Sequence, residues 1–278
     1  MTVRSVLDGA GGRARRNRRR RRPYRPDGRV RTRTRCPLAA ATGQEWLEVG
    51  PGSAVLDVGC GPGDVLVALA GTVAPGGRSI GLDRDPAMLT EARRRAALAE
   101  VDVDFIAGDV RVLGFPDAVL DACRAERVLQ HLPDPEVAIA QMVRALRPGG
   151  RLVTIDSDWW TRRWHHPDQR TTRAIVRFLA VEAIASGDIG SRLAAMYRVA
   201  GLVDIRVEGE ILLQRTPLPR QQALLSRVVM RAVAGGFVTD RAGRAWLDAY
   251  HELIRSGDFF CSICMYAVAG RKANGALS

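Results

Sequence analysis

The stretch Val55-Leu56-Asp57-Val58-Gly59-Cys60-Gly61-Pro62-Gly63 decides the fold. A compact apolar run over Ser53–Val58 reads as a buried strand, and it ends on three glycines spaced GxGxG, at Gly59, Gly61 and Gly63. A helical pattern follows over 63–72. Glycines at a strand-to-helix turn remove side chains, so that backbone N–H groups can approach a ligand closely. Dinucleotide folds use GxGxxG at this place, and phosphate-binding NTPase loops need Gly-Lys-Ser/Thr where this chain has Asp64.

Outward from that turn, four further runs read as buried parallel strands: Arg78–Asp83, Val103–Ala107, Val119–Ala125 and Arg151–Asp156. Helical segments near 86–100 and 134–147 lie between them. Asp134-Pro135 makes a helix start and Pro148-Gly149-Gly150 a stop. Strands alternating with helices imply an α/β, doubly wound sheet. The second strand ends on Asp83, about 20 residues past Gly63, where a carboxylate can accept both hydroxyls of a ribose. Asp109 follows the third strand, and Met88 stands in the first turn after Asp83. A carboxylate after a strand also caps helices. Three strand ends bearing Gly or Asp in register favour a ligand site.

Residues from about 45 to 157 resemble the class I S-adenosylmethionine (SAM) dependent methyltransferases. The resemblance is to the small-molecule group, type 11, that includes the ubiquinone and menaquinone methyltransferases. It is carried by the glycine stretch, Gly81-Leu82-Asp83, Ala107-Gly108-Asp109, Glu126-Arg127-Val128-Leu129-Gln130-His131-Leu132-Pro133-Asp134 and Leu146-Arg147-Pro148-Gly149-Gly150-Arg151-Leu152. It implies a Rossmann-like sheet of seven strands with an antiparallel last strand, which Phe259–Ala269 would supply. It also implies SAM as cofactor, with S-adenosylhomocysteine as product. Asp57 and the glycines would hold the methionine end, Asp83 the ribose, and Asp109 with Val110 the adenine, which Met88 would cover. Glu126 would bond the cofactor's amino end. Gln130 and His131 would lie beside the transferred methyl. His131 then has two readings, a general base for an oxygen or nitrogen nucleophile or a group that orders the loop.

Past residue 156 the rhythm changes. Helical stretches at about 168–187 and 190–201 lead to a strand-like Val203–Leu213, then to a helical block at about 218–256. The reading is one domain over 41–278, with a cofactor half (41–157) and substrate-cover helices at about 158–189 and 216–256. Three of the five tryptophans fall in Asp158–His166, at Trp159, Trp160 and Trp164. Their faces can contact a flat or apolar substrate or favour a sulfonium charge, or they can pack the cover onto the sheet. His165-His166 lacks a nearby carboxylate or cysteine set, and Cys261-Ser-Ile-Cys264 sits in a strand-like run whose i and i+3 positions face opposite ways. No metal is expected.

The net charge of +12 belongs to one end of the chain. Fourteen arginines lie within residues 1–40 against only Asp8 and Asp27, which leaves a neutral body. With almost no apolar periodicity and strong self-repulsion, 1–40 is expected to be a disordered tail. It reads either as a solvated extension or as an arm for nucleic acid or anionic lipid. Five scattered cysteines argue against a disulfide framework. No apolar run approaches the ~20 residues that span a bilayer, and a soluble, cytoplasmic protein without membrane contact is expected.

Methyl transfer from SAM to a small, fairly apolar organic acceptor (quinone, phenol, polyketide or terpenoid-like), in specialised metabolism, is the leading reading. The alternative is an RNA methyltransferase that uses the basic tail. Against it, Glu126-Arg127-Val128-Leu129 is not the Asn/Asp-Pro-Pro-aromatic pattern that stacks a flipped base. A small molecule is therefore the expected partner, and a homodimer is compatible with the sequence.

Overall fold

The computed structural model describes residues 45–274. The expectations about the tail, and Cys36, lie outside the described residues. Seven described strands form one sheet in the order β3-β2-β1-β4-β5-β7-β6. They are β1 (Ala54–Val58), β2 (Arg78–Asp83), β3 (Asp104–Ala107), β4 (Leu120–Glu126), β5 (Leu146–Trp164), β6 (Leu202–Gln214) and β7 (Cys261–Lys272). The first five pair in parallel, and β7 runs antiparallel to both β5 and β6. The seven-stranded, Rossmann-like α/β expectation with an antiparallel last strand holds.

Both faces of the sheet are covered, so its inner strands read as almost unbroken apolar runs. Leu56, Val58, Cys123 and Ala125 face one cluster with Ile139 and Met142 of α3 (Pro135–Ala145) and with Leu193 and Tyr197 of α5 (Ile189–Val199). Val55, Ala122 and Val153 face the other, against Trp46, Leu47 and the Leu69 and Val73 side chains of α1 (Asp64–Val73). On that second face the alternation also places Asp57 and Arg124, directly opposite each other in the β1–β4 register. The helix starts follow local chemistry. Asp85 caps α2 (Pro86–Leu98) by accepting from the Ala87 N–H at 2.9 Å, with Pro86 in the first turn.

Three elements differ from the sequence reading. The stretch 168–187 is not one helix: α4 (Gln169–Phe178) passes into a π turn over Leu179–Ala183. The block 218–256 is two helices, α6 (Pro219–Ala234) and α7 (Asp240–Ser256), broken where Gly236 takes φ +75°. The largest difference is β5, which continues past Asp156 to Trp164 and pairs with β7 at Asp158↔Cys264 and Trp164↔Cys261 across a bulge. The tryptophan-rich segment, which the sequence reading placed with the cover helices from about 158, is strand.

That extension carries the cover. Trp164 packs edge-on against Trp246 of α7 at 5.9 Å, and Trp246 stacks on Tyr250 at 5.6 Å and on His166 at 4.6 Å. The Trp246 indole N–H donates to Thr172 Oγ1 of α4 at 2.9 Å, so its polar edge is satisfied although the ring is buried. Ile175, Phe178, Val229 and Phe259 close the same cluster. Trp246→Ala removes the central ring, and a loss of about 3–5 kcal/mol of stability is expected; urea unfolding followed by circular dichroism measures it.

Candidate functional site

The site is built at the carboxyl ends of β1, β2 and β4, where the chain reverses from β3 back to β4 across β1. After Val58 the chain folds over the end of β2: Gly59 and Cys60 both donate their N–H to the Leu82 carbonyl, at 2.7 and 3.1 Å. Gly59, Gly61 and Gly63 all take left-handed φ, at +64°, +53° and +78°. A Cβ on Gly59 would lie 2.3 Å from Val128 Cγ2, whereas one on Gly61 would meet nothing within 4 Å. The first glycine is thus needed for close approach by the 128–131 turn, and the second leaves open space above the loop.

Asp83 ties the loop to the end of β2. Its Oδ2 accepts from the Gly61 N–H at 2.8 Å and its Oδ1 from the Asp85 N–H at 2.9 Å. Each oxygen keeps a second lone pair for a ligand. Asp83 faces a cavity of about 190 Å³ that is also lined by Gly59, Asp109, Val110 and His131. Five of the residues singled out from sequence therefore meet at one cavity. Gly108, Arg84, Arg127 and Val128 line it too, and sequence reasoning had assigned them no role. They sit within or beside the strand-end motifs, and that adjacency was the available signal.

The other candidates lie elsewhere. Gly61 and Gly63 shape the loop from outside the lining. Met88 is exposed on the first turn of α2 and does not line the cavity. Asp109 accepts from the Arg111 backbone N–H at 2.9 Å and pairs with the Arg111 guanidinium at 2.6 Å. These bonds hold its carboxyl down at about 2, so it caps the short turn Val110–Val112 while facing the cavity. Gln130 is buried, and its Oε1 accepts from the Trp159 indole at 2.7 Å. Trp160 is exposed, and Trp164 belongs to the cover's core rather than to a pocket.

Asp57 and Glu126 are joined beneath the loop by a residue that the sequence did not single out. Arg124 Nη1 lies 2.9 Å from Asp57 Oδ1, and Arg124 Nη2 lies 2.9 Å from Glu126 Oε2. The Asp57 and Arg124 side chains are each only 3% exposed, so this trio is an internal charge network. Burial pushes the Asp57 carboxyl up to about 6 against the pull of the guanidinium. Glu126, at 17% exposure, is the outer end of the network.

The 128–131 turn rests on Asp156, at the end of the predicted fifth strand. This buried carboxyl group accepts from the Leu129 N–H at 3.0 Å through Oδ2, while its Oδ1 has no hydrogen-bond partner. Burial pushes it up to about 8, against the pull of the turn's backbone N–H groups. His131 sits on that turn, and its Nε2 lies 3.2 Å from Gln130 Nε2. With the Gln130 oxygen committed to Trp159, its NH₂ faces His131, so Nε2 accepts and the ring proton is assigned to Nδ1. Partial burial, then the charges of Arg84 and Arg127, lower the imidazole's affinity for a proton. His131 is accordingly held neutral near pH 7.

The cavity suits a ribonucleoside with an attached chain: an open glycine cradle, a carboxylate with free lone pairs at the end of β2, and a second carboxylate beyond β3. Among the described residues no group of three or more His, Cys, Asp and Glu side chains is placed to hold a metal.

Residues 56–154 match the family model described as a methyltransferase domain. An uncharacterized 37.1 kDa protein in a transposon of Streptomyces fradiae is 37% identical over 227 residues, covering 81% of this chain and 64% of that protein. The 2-phytyl-1,4-naphthoquinone methyltransferase of Synechococcus elongatus is 37% identical over 114 residues, covering 40% of this chain and 49% of the enzyme. The chain thus spans about half to just under two thirds of the length of the curated relatives it matches. A phosphoethanolamine N-methyltransferase of Haemonchus contortus, solved with phosphomonomethylethanolamine and S-adenosylhomocysteine, superposes with a TM-score of 0.55 at 16% identity. That likeness covers 85% of this chain and 52% of the other, and it extends the fold assignment beyond the matched domain.

Asp156 gives the site a pH signature. Its folded pKa, about 8, lies above the ordinary carboxylate value of 3.8, so the folded state holds a proton that the unfolded state has lost between those limits. Stability contributed by this group is complete below about pH 4 and is lost as pH rises through about 8. Asp156→Asn, which keeps an acceptor for Leu129, should gain on the wild type in urea midpoint between pH 5 and pH 8.5. A constant difference between the two proteins across that range would contradict a raised Asp156.

Proposed function

We propose, for a chain that carries a methyltransferase domain over residues 56–154, that the protein transfers a methyl group from SAM to a small, fairly apolar organic acceptor. Quinone, phenol, polyketide and terpenoid-like molecules are the acceptor classes, and a cytoplasmic enzyme of specialised metabolism is the setting. The observation that carries the reading is the convergence of Gly59, Asp83, Asp109, Val110 and His131 on one strand-end cavity. The domain match and a relative named as a naphthoquinone methyltransferase favour the same chemistry. The neutral composition outside residues 1–40 suits an uncharged acceptor.

Bound SAM supplies an activated methyl group and a neutral thioether leaving group. The chain's part is binding and alignment. Asp83 accepts the ribose hydroxyls with its remaining lone pairs, and Asp109 with Val110 borders the adenine. Glu126, its charge fed inward to Arg124 and Asp57, faces the α-amino end. Trp159, which is hydrogen-bonded to Gln130 beside His131, offers aromatic surface to the acceptor. His131 takes the acceptor's proton through Nε2, once the acceptor displaces the Gln130 amide from that nitrogen. A neutral imidazole is the form this role needs, and the arginines beside His131 favour that form.

The cofactor assignment is tested by calorimetry with S-adenosylhomocysteine. Asp83→Ala should weaken binding by about 1–3 kcal/mol, with the fold verified by thermal melting. Unchanged affinity in a folded variant would remove Asp83 from the site.

The role of His131 is tested by single-turnover rates with a quinol or phenol acceptor. His131→Ala should slow the reaction by about 10²–10⁴-fold, the range for a general base, with cofactor affinity nearly constant. The deficit should shrink at high pH, where a phenolic acceptor ionises unaided. A ratio near unity at every pH would assign His131 to ordering the turn through Gln130.

A further inference from the structure

A second concave site lies in the cover, and it shares no lining residue with the strand-end cavity. It is a cleft of about 500 Å³ lined by Arg173, Ala174 and Arg177 of α4 and by Gly235, Gly236 and Phe237 at the turn after α6. Arg173 and Arg177 stand four residues apart, so their guanidinium groups rise from the same face of the helix, one turn from each other. Both are exposed, and neither has a carboxylate partner among the described residues. Like charges at this spacing repel, so the arrangement is unfavourable until an anion lies between them.

On other helices several arginines are paired, although Arg93, Arg198 and Arg241 have no carboxylate partner among the described residues. Arg94 and Arg95 pair with Glu91, Arg192 with Asp188, Arg244 with Asp240 and Arg255 with Glu252, each within one turn. By contrast α4 and α6 together carry Arg170, Arg173, Arg177, Arg220, Arg227 and Arg231 and not one Asp or Glu. The positive charge is therefore concentrated on the two helices that border the cleft. Opposing it, the carbonyl end of α6 at Gly235 carries about half a unit of negative charge. Two full guanidinium charges outweigh that.

The apolar wall is built. Gly236, at φ +75°, turns the chain so that Phe237 packs edge-on against the buried Phe178 at 5.4 Å. Arg231 lies over the Phe178 ring at 5.6 Å, which adds a third positive charge beside the aromatic pair. The volume falls within the ~300–1,000 Å³ of small-molecule sites and exceeds what a bare anion needs. Guanidinium forks match the oxygens of phosphate groups two at a time.

We propose that this cleft is an oxyanion site for a phosphate- or diphosphate-bearing ligand, with Arg173 and Arg177 as its donors and Phe237 as the wall for the ligand's apolar part. The phosphate can belong to a soluble ester or to a lipid headgroup. The proposal does not depend on the methyl-transfer reading.

The test uses the full chain with inorganic pyrophosphate as probe, titrated by calorimetry. Residues 1–40 hold fourteen arginines, whose charge would attract the same probe, so two variants of equal charge change are compared with the wild type. Arg173→Gln/Arg177→Gln alters the cleft, whereas Arg220→Gln/Arg227→Gln removes two α6 charges that do not line it. Loss of two charged hydrogen-bond donors should weaken the cleft's binding by about 10- to 100-fold in the first variant, with little change in the second. Equal losses in both variants, or none in either, would overturn the proposal. Sedimentation with phosphatidylcholine vesicles, with and without phosphatidylglycerol, then identifies the source. Binding to the anionic vesicles that fails only in the cleft variant marks a lipid headgroup, and cleft-dependent pyrophosphate binding without vesicle binding marks a soluble ester.

Discussion

Two N–H groups converge on one carbonyl, that of Leu82, and the site is laid out from that junction. The bonds from Gly59 and Cys60 turn the chain over the end of β2 as soon as β1 finishes. The turn demands a left-handed backbone at Gly59, and it brings Val128 so close that a Cβ on Gly59 would overlap it. A residue with a side chain would separate the glycine loop from the 128–131 turn, and the cavity between the ends of β1, β2 and β4 would lose its floor. Asp83 then fastens the loop a second time through Gly61. Rigidity at the ends of three strands thus comes from backbone groups, with few side chains spent on it.

Beneath this junction the protein buries charge, and the sign and placement of those charges position the surface above. Arg124 sits between Asp57 and Glu126 in the register that sets Asp57 opposite Arg124. A slip of one residue would turn Arg124 to the other face of the sheet and leave Asp57 alone in the interior. Breaking a buried pair in that way costs about 3–5 kcal/mol, so the network pins β1 to β4 in one register. Asp156 supports the 128–131 turn without charge, as a buried carboxyl group that keeps its proton up to about pH 8 and accepts the N–H of Leu129. Neither Arg124 nor Asp156 lines the cavity, yet the loop and the turn that do rest on them.

The cover follows from a different constraint. Because β5 passes through a bulge between Asp158 and Arg163 before it pairs with β7 again, simple alternation is lost there, and Trp160 and Trp164, four residues apart, take different surroundings. Trp164 goes inward to Trp246, and Trp160 goes outward to solvent. Trp159 reaches Gln130 and, through it, His131, so the cover is joined to the cavity by a chain of hydrogen bonds. The same helices present an uncompensated row of arginines on their outer surface, remote in residue identity from anything the strand-end site uses.

Much of this was legible in the residues themselves. The βα alternation, the glycine turn, and Asp83 and Asp109 at successive strand ends are local patterns, and each depends only on backbone geometry within a few residues. Such patterns determined the fold class and the position of the cavity, whereas the antiparallel final strand was implied by the family resemblance. The tertiary structure decided what each charged or aromatic side chain touches. Arg124 looked like one arginine among many until β4 lay beside β1, and Asp156 looked like a strand end until the turn folded onto it. Trp164 could line a pocket or fill a core, and the continued pairing of β5 with β7 chose the core. Periodicity along a chain reports which face a residue occupies, whereas its partner is set by a strand or helix tens of residues away, which no local pattern encodes.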